Sequence, residues 1–236
     1  MKKKIIIAGG NGSIGKILVK SLANTHSVIV LDKKIERKFN NFYKVDLTNF
    51  YKTQEVIKKI YKKFKSIDVL INCMGDINNF SIISLNENNL KKNYLNFKKV
   101  LSDHLFSNYL ITMLIVNYNF QIRKKCTIIN FSSISEQGNI GQAAYSSAKG
   151  AINSLTKVMS KELGVLGYRT NALAPGFFDT KSTLKSLSNS KIKKLKNSIP
   201  LRKLGNKNDL IKTIKFIIQN NYLNGSIIKI DGGVSI

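Results

Sequence analysis

Short apolar runs alternate with longer segments of helical period along the whole chain. Residues 4–8, 28–31, 42–45, 69–72, 127–131, 170–174 and 226–230 read as strands, being short runs of four or five residues, mostly apolar. They lack the strict alternation of a sheet with one wet face, which points to strands buried on both sides. Between them, 14–23, 53–64, 97–118, 144–163 and 209–219 repeat their apolar residues at three- and four-residue intervals, as amphipathic helices do. Strand and helix in alternation imply βαβ units around a parallel sheet. The rhythm runs to the last strand without linker, repeat or low-complexity spacer, so an α/β fold is expected: one doubly wound domain over 1–236, with about seven strands.

Residues 177–197 interrupt that rhythm with Ser, Thr, Asn and Lys around scattered leucines. A connection of this length reads as a substrate lid or a small inserted helical pair, although an ordinary surface excursion has the same composition. Charge adds a second irregularity. The 236 residues include 39 Lys and Arg against 13 Asp and Glu, a formal +26. Clustered cations in that number would suit nucleic acid or an anionic membrane. Here they are scattered in twos and threes among Asn and Ile, so they read as a compositional bias and a solvated surface. No nucleic-acid partner is expected. Two cysteines, Cys73 and Cys126, cannot build a disulfide scaffold, and no Cys or His cluster has metal-ligand spacing. No metal is expected, and a reducing cytoplasm fits. The start MKKK resembles the basic end of a signal peptide, but apolar residues 5–8 are too few before Gly9 and Gly10 intervene. No run approaches the ~18 apolar residues of a membrane span, so no membrane partner is expected either.

After the first strand stand Gly9-Gly10-Asn11-Gly12-Ser13-Ile14-Gly15, opening directly into a helix. Glycines let the backbone turn tightly and approach a pyrophosphate seated on the helix N-terminus. A ligand-free turn would use the same residues, but Asp32 strengthens the dinucleotide reading. At the end of the second strand its carboxylate can accept from an adenosine ribose and repel a 2′-phosphate, which favours NAD. Lys33 and Lys34 pull towards NADP. Asp46-Leu47-Thr48 would face the adenine edge or simply cap the following helix.

Tyr145 and Lys149 stand four residues apart on one helix and share a face. Such pairs are common on surfaces, so the surroundings decide. Ser132 and Ser133 follow the buried strand 127–131, and open α/β sheets hold ligands at the carboxyl ends of their strands. A phenol of ordinary pKa near 10 carries protons poorly at neutral pH. A neighbouring ammonium and an oxidised nicotinamide would favour phenolate, making Tyr145 a usable general acid and base.

In order along the chain come the glycine turn, Asp46-Leu47-Thr48, Asn72-Cys73-Met74-Gly75, the serine pair, Tyr145-Ser146-Ser147-Ala148-Lys149, Asn171-Ala172-Leu173-Ala174-Pro175-Gly176 and Asp231-Gly232-Gly233. Together these seven motifs resemble the short-chain dehydrogenase/reductase family over essentially the full length. The resemblance implies a single NAD(P)-binding Rossmann-type domain with a substrate lid near 177–197. It makes Tyr145 the proton donor to a substrate carbonyl, or the acceptor from an alcohol. Lys149 would bind the nicotinamide ribose and depress the Tyr145 pKa, the serine would hold the substrate oxygen, and hydride would pass to or from the nicotinamide. It further implies that Gly9, Asn11, Gly12, Ser13, Ile14, Gly15, Asp32, Lys33, Asp46 and Leu47 bind the adenosine and pyrophosphate of NAD, or of NADP. Asn72, Cys73, Met74 and Gly75 would line the cofactor beside the fourth strand. Pro175, Gly176, Phe178 and Thr180 would hold its other end, with Thr180 at the carboxamide.

Four features depart from the family pattern. Ala8 stands where a Thr usually precedes the first glycine. Gly9, Gly12 and Gly15 follow the spacing of the extended subfamily, and Gly12 removes a position where NADP users often carry a base. The run Asn130-Phe131-Ser132-Ser133 resembles Asn-Ile-Ser-Ser and points to Ser133, whereas the commonest spacing to the tyrosine points to Ser132. Strand ends are fixed and loop lengths vary, which favours Ser133. Finally, the family's relay Asn in the long central helix aligns with His104, and Asn108 follows one turn later on the same face. Either would support a proton relay, a neutral His being able to carry protons near pH 7; a hydrogen-bonded core histidine is the plainer reading.

The resemblance leaves the carbonyl or alcohol substrate open among a sugar or nucleotide sugar, a 3-oxoacyl thioester on a carrier protein, a steroid-like or other small alcohol and a polyol. A basic rim at the cleft mouth would suit an anionic or carrier-bound one. The rival class is a catalytically idle dinucleotide sensor or interaction protein on the same fold. The resemblance also implies a homodimer or homotetramer packed through 209–236.

Overall fold

The computed structural model describes residues 2–34, 41–77, 79–83, 86–180 and 188–234. Its sheet contains β1 (Lys4–Ala8), β2 (Ser27–Asp32), β3 (Phe42–Lys44), β4 (Val69–Asn72), β5 (Thr127–Phe131), β6 (Arg169–Pro175) and β7 (Ile227–Ile230). The spatial order is β3-β2-β1-β4-β5-β6-β7, with every neighbouring pair parallel. Both faces are covered, and the alternation of side chains along each strand divides the core in two. Ile6 and Ala8 of β1 point to one face, where Ile57 and Ile60 of α2 (Phe50–Phe64) and Ile111 and Ile115 of α4 (Ser107–Gln121) meet them. Ile5 and Ile7 point to the other, against Leu18 and Leu22 of α1 (Ser13–Leu22) and Ile214 and Ile217 of α7 (Lys207–Gln219). All four strand residues are fully buried, and truncating either Ile6 or Ile7 to Ala would cost about 2–5 kcal/mol.

The chain winds outward from β1 through β2 to β3, then crosses back to lay β4 on the other side of β1. That reversal opens a crevice at the carboxyl ends of β1 and β4, the usual ligand position in such sheets. α5 (Ala143–Gly164) lies along β6 and against α3 (Glu87–Leu101), which brings its first turns to the carboxyl end of β5.

The long central helix differs from its sequence expectation. Instead of one element over 97–118, α3 begins at Glu87, capped by the Asn86 side chain, and α4 ends at Gln121. Between them Ser102–Phe106 form a π-turn. A π-turn accommodates one extra residue without changing the apolar pattern on either side, so periodicity alone does not reveal it. Within the expected lid, Asn189–Ser198 form the helix α6, while residues 181–187 lie outside the described residues. Among the described residues no helix is long and apolar enough to cross a membrane.

Candidate active site

A cleft enclosing about 720 Å³, including the open space at its mouth, occupies the crevice. Residues following β1, β2, β3 and β4 wall it, together with Asp103 of the π-turn and Ser107 of α4. The glycine turn is shaped by close approach. Gly9 has φ +81°, and a Cβ there would lie 2.8 Å from the Cys73 carbonyl oxygen; one on Gly15 would lie 2.2 Å from that of Gly9. Gly12 caps α1 without a side chain, and Ser13 and Ile14 open a helix with no carboxylate in its first turn. Amide hydrogens at such an end suit a pyrophosphate. The Asp32 carboxylate accepts from the main-chain N–H of Asn11 and of Lys34, both at 3.0 Å, and the Asn11 amide donates to the Lys34 carbonyl at 2.8 Å. The Asn11 Oδ1 is buried with no partner, leaving an acceptor aimed at incoming donors. A dinucleotide's anionic bridge and hydroxyl groups match this donor and acceptor set.

Further along the wall, Asp46 accepts from the Thr48 N–H at 3.0 Å and hydroxyl at 2.8 Å. Burial pushes its carboxyl up, but these bonds and the Lys33 and Lys99 ammonium groups hold it below the ordinary value. The Leu47 side chain turns into the core. Cys73 places Sγ 3.1 Å from the Ala8 carbonyl oxygen, and burial pushes its thiol up to about 12, so it is inert near neutral pH.

The second half of the site gathers where β5 meets α5. Tyr145 and Lys149 are both buried, with the ammonium 5.5 Å from the phenol ring centroid. Lys149 Nζ donates to the Phe131 carbonyl at 2.6 Å. Burial pushes its pKa down to about 8. The Ser133 hydroxyl hydrogen-bonds the Tyr145 phenol, but burial is the larger influence and raises the phenol's pKa. Both groups are withdrawn from water, and burial disfavours the charged form of each. The serine pair separates cleanly. Ser132 turns back to donate to the Lys149 carbonyl at 3.3 Å, whereas Ser133 meets the phenol and accepts from the Ser135 N–H at 3.1 Å. His104 stacks edge-on against Tyr145, centroids 5.3 Å apart, with Nε2 3.1 Å from the Asp76 carbonyl oxygen. That contact fixes Nε2 as the protonated nitrogen and leaves Nδ1 buried without a partner. Burial, then Lys149, lowers the His104 pKa to about 3, so the ring is neutral.

The profile of the family described as Enoyl-(Acyl carrier protein) reductase matches residues 17–235. The chain belongs to the short-chain dehydrogenase/reductase family. As a short-chain dehydrogenase/reductase it is an NAD(P)-dependent oxidoreductase. It is 29% identical to the 3-oxoacyl-[acyl-carrier-protein] reductase FabG of Buchnera aphidicola, covering 99% of this chain and 97% of the other. To human 3-hydroxyacyl-CoA dehydrogenase type-2 it is 28% identical, over 97% of this chain and 94% of that one. Among solved structures, "ElxO with NADP Bound" aligns with TM-score 0.87 at 27% identity, over 99% of this chain and 98% of that chain. A short chain dehydrogenase from Leptospira borgpetersenii with bound NAD+ aligns with TM-score 0.87 at 26% identity, over 100% and 94%.

Against this family's site, most expected residues converge and a few do not. Gly9, Asn11, Gly12, Asp32, Lys33, Asp46, Leu47, Cys73, Met74 and Gly75 line the one cleft. Asn72 lies beneath it, its amide nitrogen within 3.1 Å of oxygens on Asn108, Thr112 and Asn130. Asn108 therefore serves that buried network, while His104 alone faces Tyr145. Pro175 ends β6 and Gly176, Phe178 and Thr180 follow it, all outside the cleft walls. The Phe178 side chain is buried in the core and stacks over Gly205, so no more than its main chain is left for a ligand. Four cleft residues, Val45, Asp76, Asp103 and Ser107, were not anticipated. The i,i+4 spacing of Lys99 and Asp103 was the available signal for one of them.

Proposed function

We propose that this chain interconverts a carbonyl and a secondary alcohol with NAD(P), Tyr145 being the general acid and base. The observation that carries the reading is the meeting of the Tyr145 phenol, the Ser133 hydroxyl and the Lys149 ammonium at one buried strand end, beside a glycine-walled cleft. The dinucleotide, when bound, supplies or accepts the hydride. Ser133 holds the substrate oxygen and orients it towards the phenol. Tyr145 gives that oxygen its proton in reduction and removes it in oxidation. Lys149, protonated below about pH 8, attracts charge developing on the phenol oxygen and reaches the ribose. His104, neutral with Nδ1 free to accept, takes the place of the relay Asn and passes protons through water. The remaining residues that the family motifs assign to the cofactor hold it as those motifs imply, residues 177–197 act as the lid, and a homodimer or homotetramer forms through 209–236.

A 3-oxoacyl thioester is the substrate class best supported. The relatives' names point to oxoacyl and hydroxyacyl groups, and an apolar rim suits an acyl chain better than a sugar. Phe80 packs against Ala144, the neighbour of Tyr145, and its N–H donates to Gly141 at 2.9 Å. Around that junction Ile77, Ile82, Ile83 and Ile140 are exposed. The reaction is placed in a reducing cytoplasm, in keeping with two free thiols.

The test is turnover of NADH and NADPH with acetoacetyl, crotonyl and nucleotide-sugar substrates, in the wild type and in Tyr145→Phe. Acetoacetyl reduction should fall by about 10²–10⁴-fold in the variant, while dinucleotide binding persists. Equal turnover in both proteins would refute the catalytic assignment. Reduction of crotonyl alone would replace carbonyl by alkene chemistry, and sugar oxidation alone would replace the substrate class. Binding without any turnover would establish the idle sensor.

A further inference from the structure

We propose that Asp103 is a specificity-determining residue for the dinucleotide, its carboxylate holding Lys33 and Lys99 away from a 2′-phosphate. The proposal rests on the reading of the cleft as the dinucleotide site.

Charge in this protein is distributed unevenly. The chain has 13 carboxylate residues and 39 Lys and Arg. Asp32, Asp46, Asp76 and Asp103, four of the 13, line the one cleft, against two lysines, Lys33 and Lys34. The basic rim that the composition suggested is therefore not at this cleft, which is acidic within a basic molecule.

Lys33 and Lys99 share one carboxylate. Lys33 Nζ lies 3.5 Å from Asp103 Oδ2, and the same oxygen receives Lys99 Nζ at 2.6 Å. One carboxylate thus gathers two ammonium groups from different elements: Lys33 after β2 and Lys99 in the last turn of α3. The Lys34 main-chain N–H is spent on Asp32, whose other oxygen holds Asn11. A 2′-phosphate placed beside Asp32 would meet that carboxylate and find the adjacent Lys33 cation already paired. A 2′-hydroxyl has no such difficulty. The π-turn matters because it sets Asp103 on the cleft side of the helix.

Partly exposed pairs of this kind are weak, so releasing Lys33 should be cheap and its reuse measurable. The experiment compares dissociation constants of NADH and NADPH, by fluorescence, for the wild type, Asp103→Asn, Lys33→Ala and the double variant. The wild type should prefer NADH. Asp103→Asn should shift the NADPH-to-NADH ratio about five- to tenfold towards NADPH, a gain that weakens with added salt and vanishes in the double variant. Lys33→Ala alone should leave the ratio within about twofold of wild type. Thermal melting of each variant separates a changed preference from a damaged fold. An unchanged ratio in Asp103→Asn, or a Lys33→Ala variant that already loses NADPH binding, would overturn the proposal. Failure of the wild type to bind either dinucleotide would overturn both the proposal and the reading it rests on.

Discussion

Gly75 and His104 share one small volume: a Cβ built on Gly75 would lie 2.1 Å from the imidazole Cε1. With Gly75 at φ +98°, a conformation L side chains rarely adopt, the ring and the turn after β4 fix one another. Gly75→Ala should therefore destabilise the protein by about 2–4 kcal/mol through strain and overpacking combined. Adding His104→Ala should recover the overpacking share alone. Urea midpoints of the single and double variants measure both; a Gly75→Ala protein as stable as wild type would refute the shared-volume account.

Ser132 and Ser133 should behave oppositely. Ser133→Ala should lower turnover about 10²-fold or more, because Ser133 is the one bonded to the phenol. Ser132→Ala should cost about 1 kcal/mol of stability through the lost bond to the Lys149 carbonyl, with turnover reduced far less. Steady-state kinetics with matching melting curves distinguish the two.

Removal of Lys149 should raise stability as it removes activity. In the fold its pKa is pushed down to about 8 from 10.5, so the unfolded chain holds that proton more tightly. The buried ammonium is a full penalty below pH 8 that fades as pH rises to about 10.5. Lys149→Met should be more stable than wild type by about 1–3 kcal/mol at pH 7, after allowing for the bond to Phe131, with the advantage shrinking at pH 10. Denaturation at the two pH values checks the sign.

His104 gives the same sign in a more acidic window, its pKa being lowered on folding as well. Its pKa is lowered to about 3 in the fold, against 6.5 unfolded. The unfolded state takes up a proton below pH 6.5, so stability is whole above that value and is lost as pH falls towards 3. His104→Asn should remove about 2 kcal/mol of the acid destabilisation seen between pH 7.5 and 4.5. Turnover should stay within about threefold in His104→Asn and fall about ten- to a hundredfold in His104→Leu, since both Asn and neutral His offer an acceptor. Equal losses in the two variants would argue for a merely space-filling ring.

The sheet was readable because each strand is buried on both faces. Runs such as Ile5-Ile6-Ile7 leave little choice, and residues 4–8, 69–72 and 127–131 match the observed strands residue for residue. The glycine turn, Asp32 and the Tyr145–Lys149 pair were legible for a related reason: local backbone geometry and helical spacing position them. What the sequence could not disclose depends on three-dimensional approach. The division of labour between Ser132 and Ser133 is decided by which hydroxyl meets α5. The raised Tyr145 pKa follows from depth, which spacing does not encode. Asp103 carries no signal in the sequence beyond its i,i+4 spacing from Lys99, and it reaches the cleft through the π-turn.

The same π-turn gives one continuous helix two independent rotational settings. An α-helix advances about 100° per residue, so the extra residue within Ser102–Phe106 offsets everything before it from everything after it. Before the turn, Val100 is aimed at Ala144 and Ala148 on α5; after it, Ile111 and Ile115 are aimed at the sheet. Neither surface can be satisfied by an uninterrupted spiral. Deleting a single residue there would straighten the rod yet swing α3 by about a quarter of a circle, carrying Asp103 and Val100 off their partners together. Length at this point is as constrained as residue identity, and a homologue one residue shorter must find another way to dock α3.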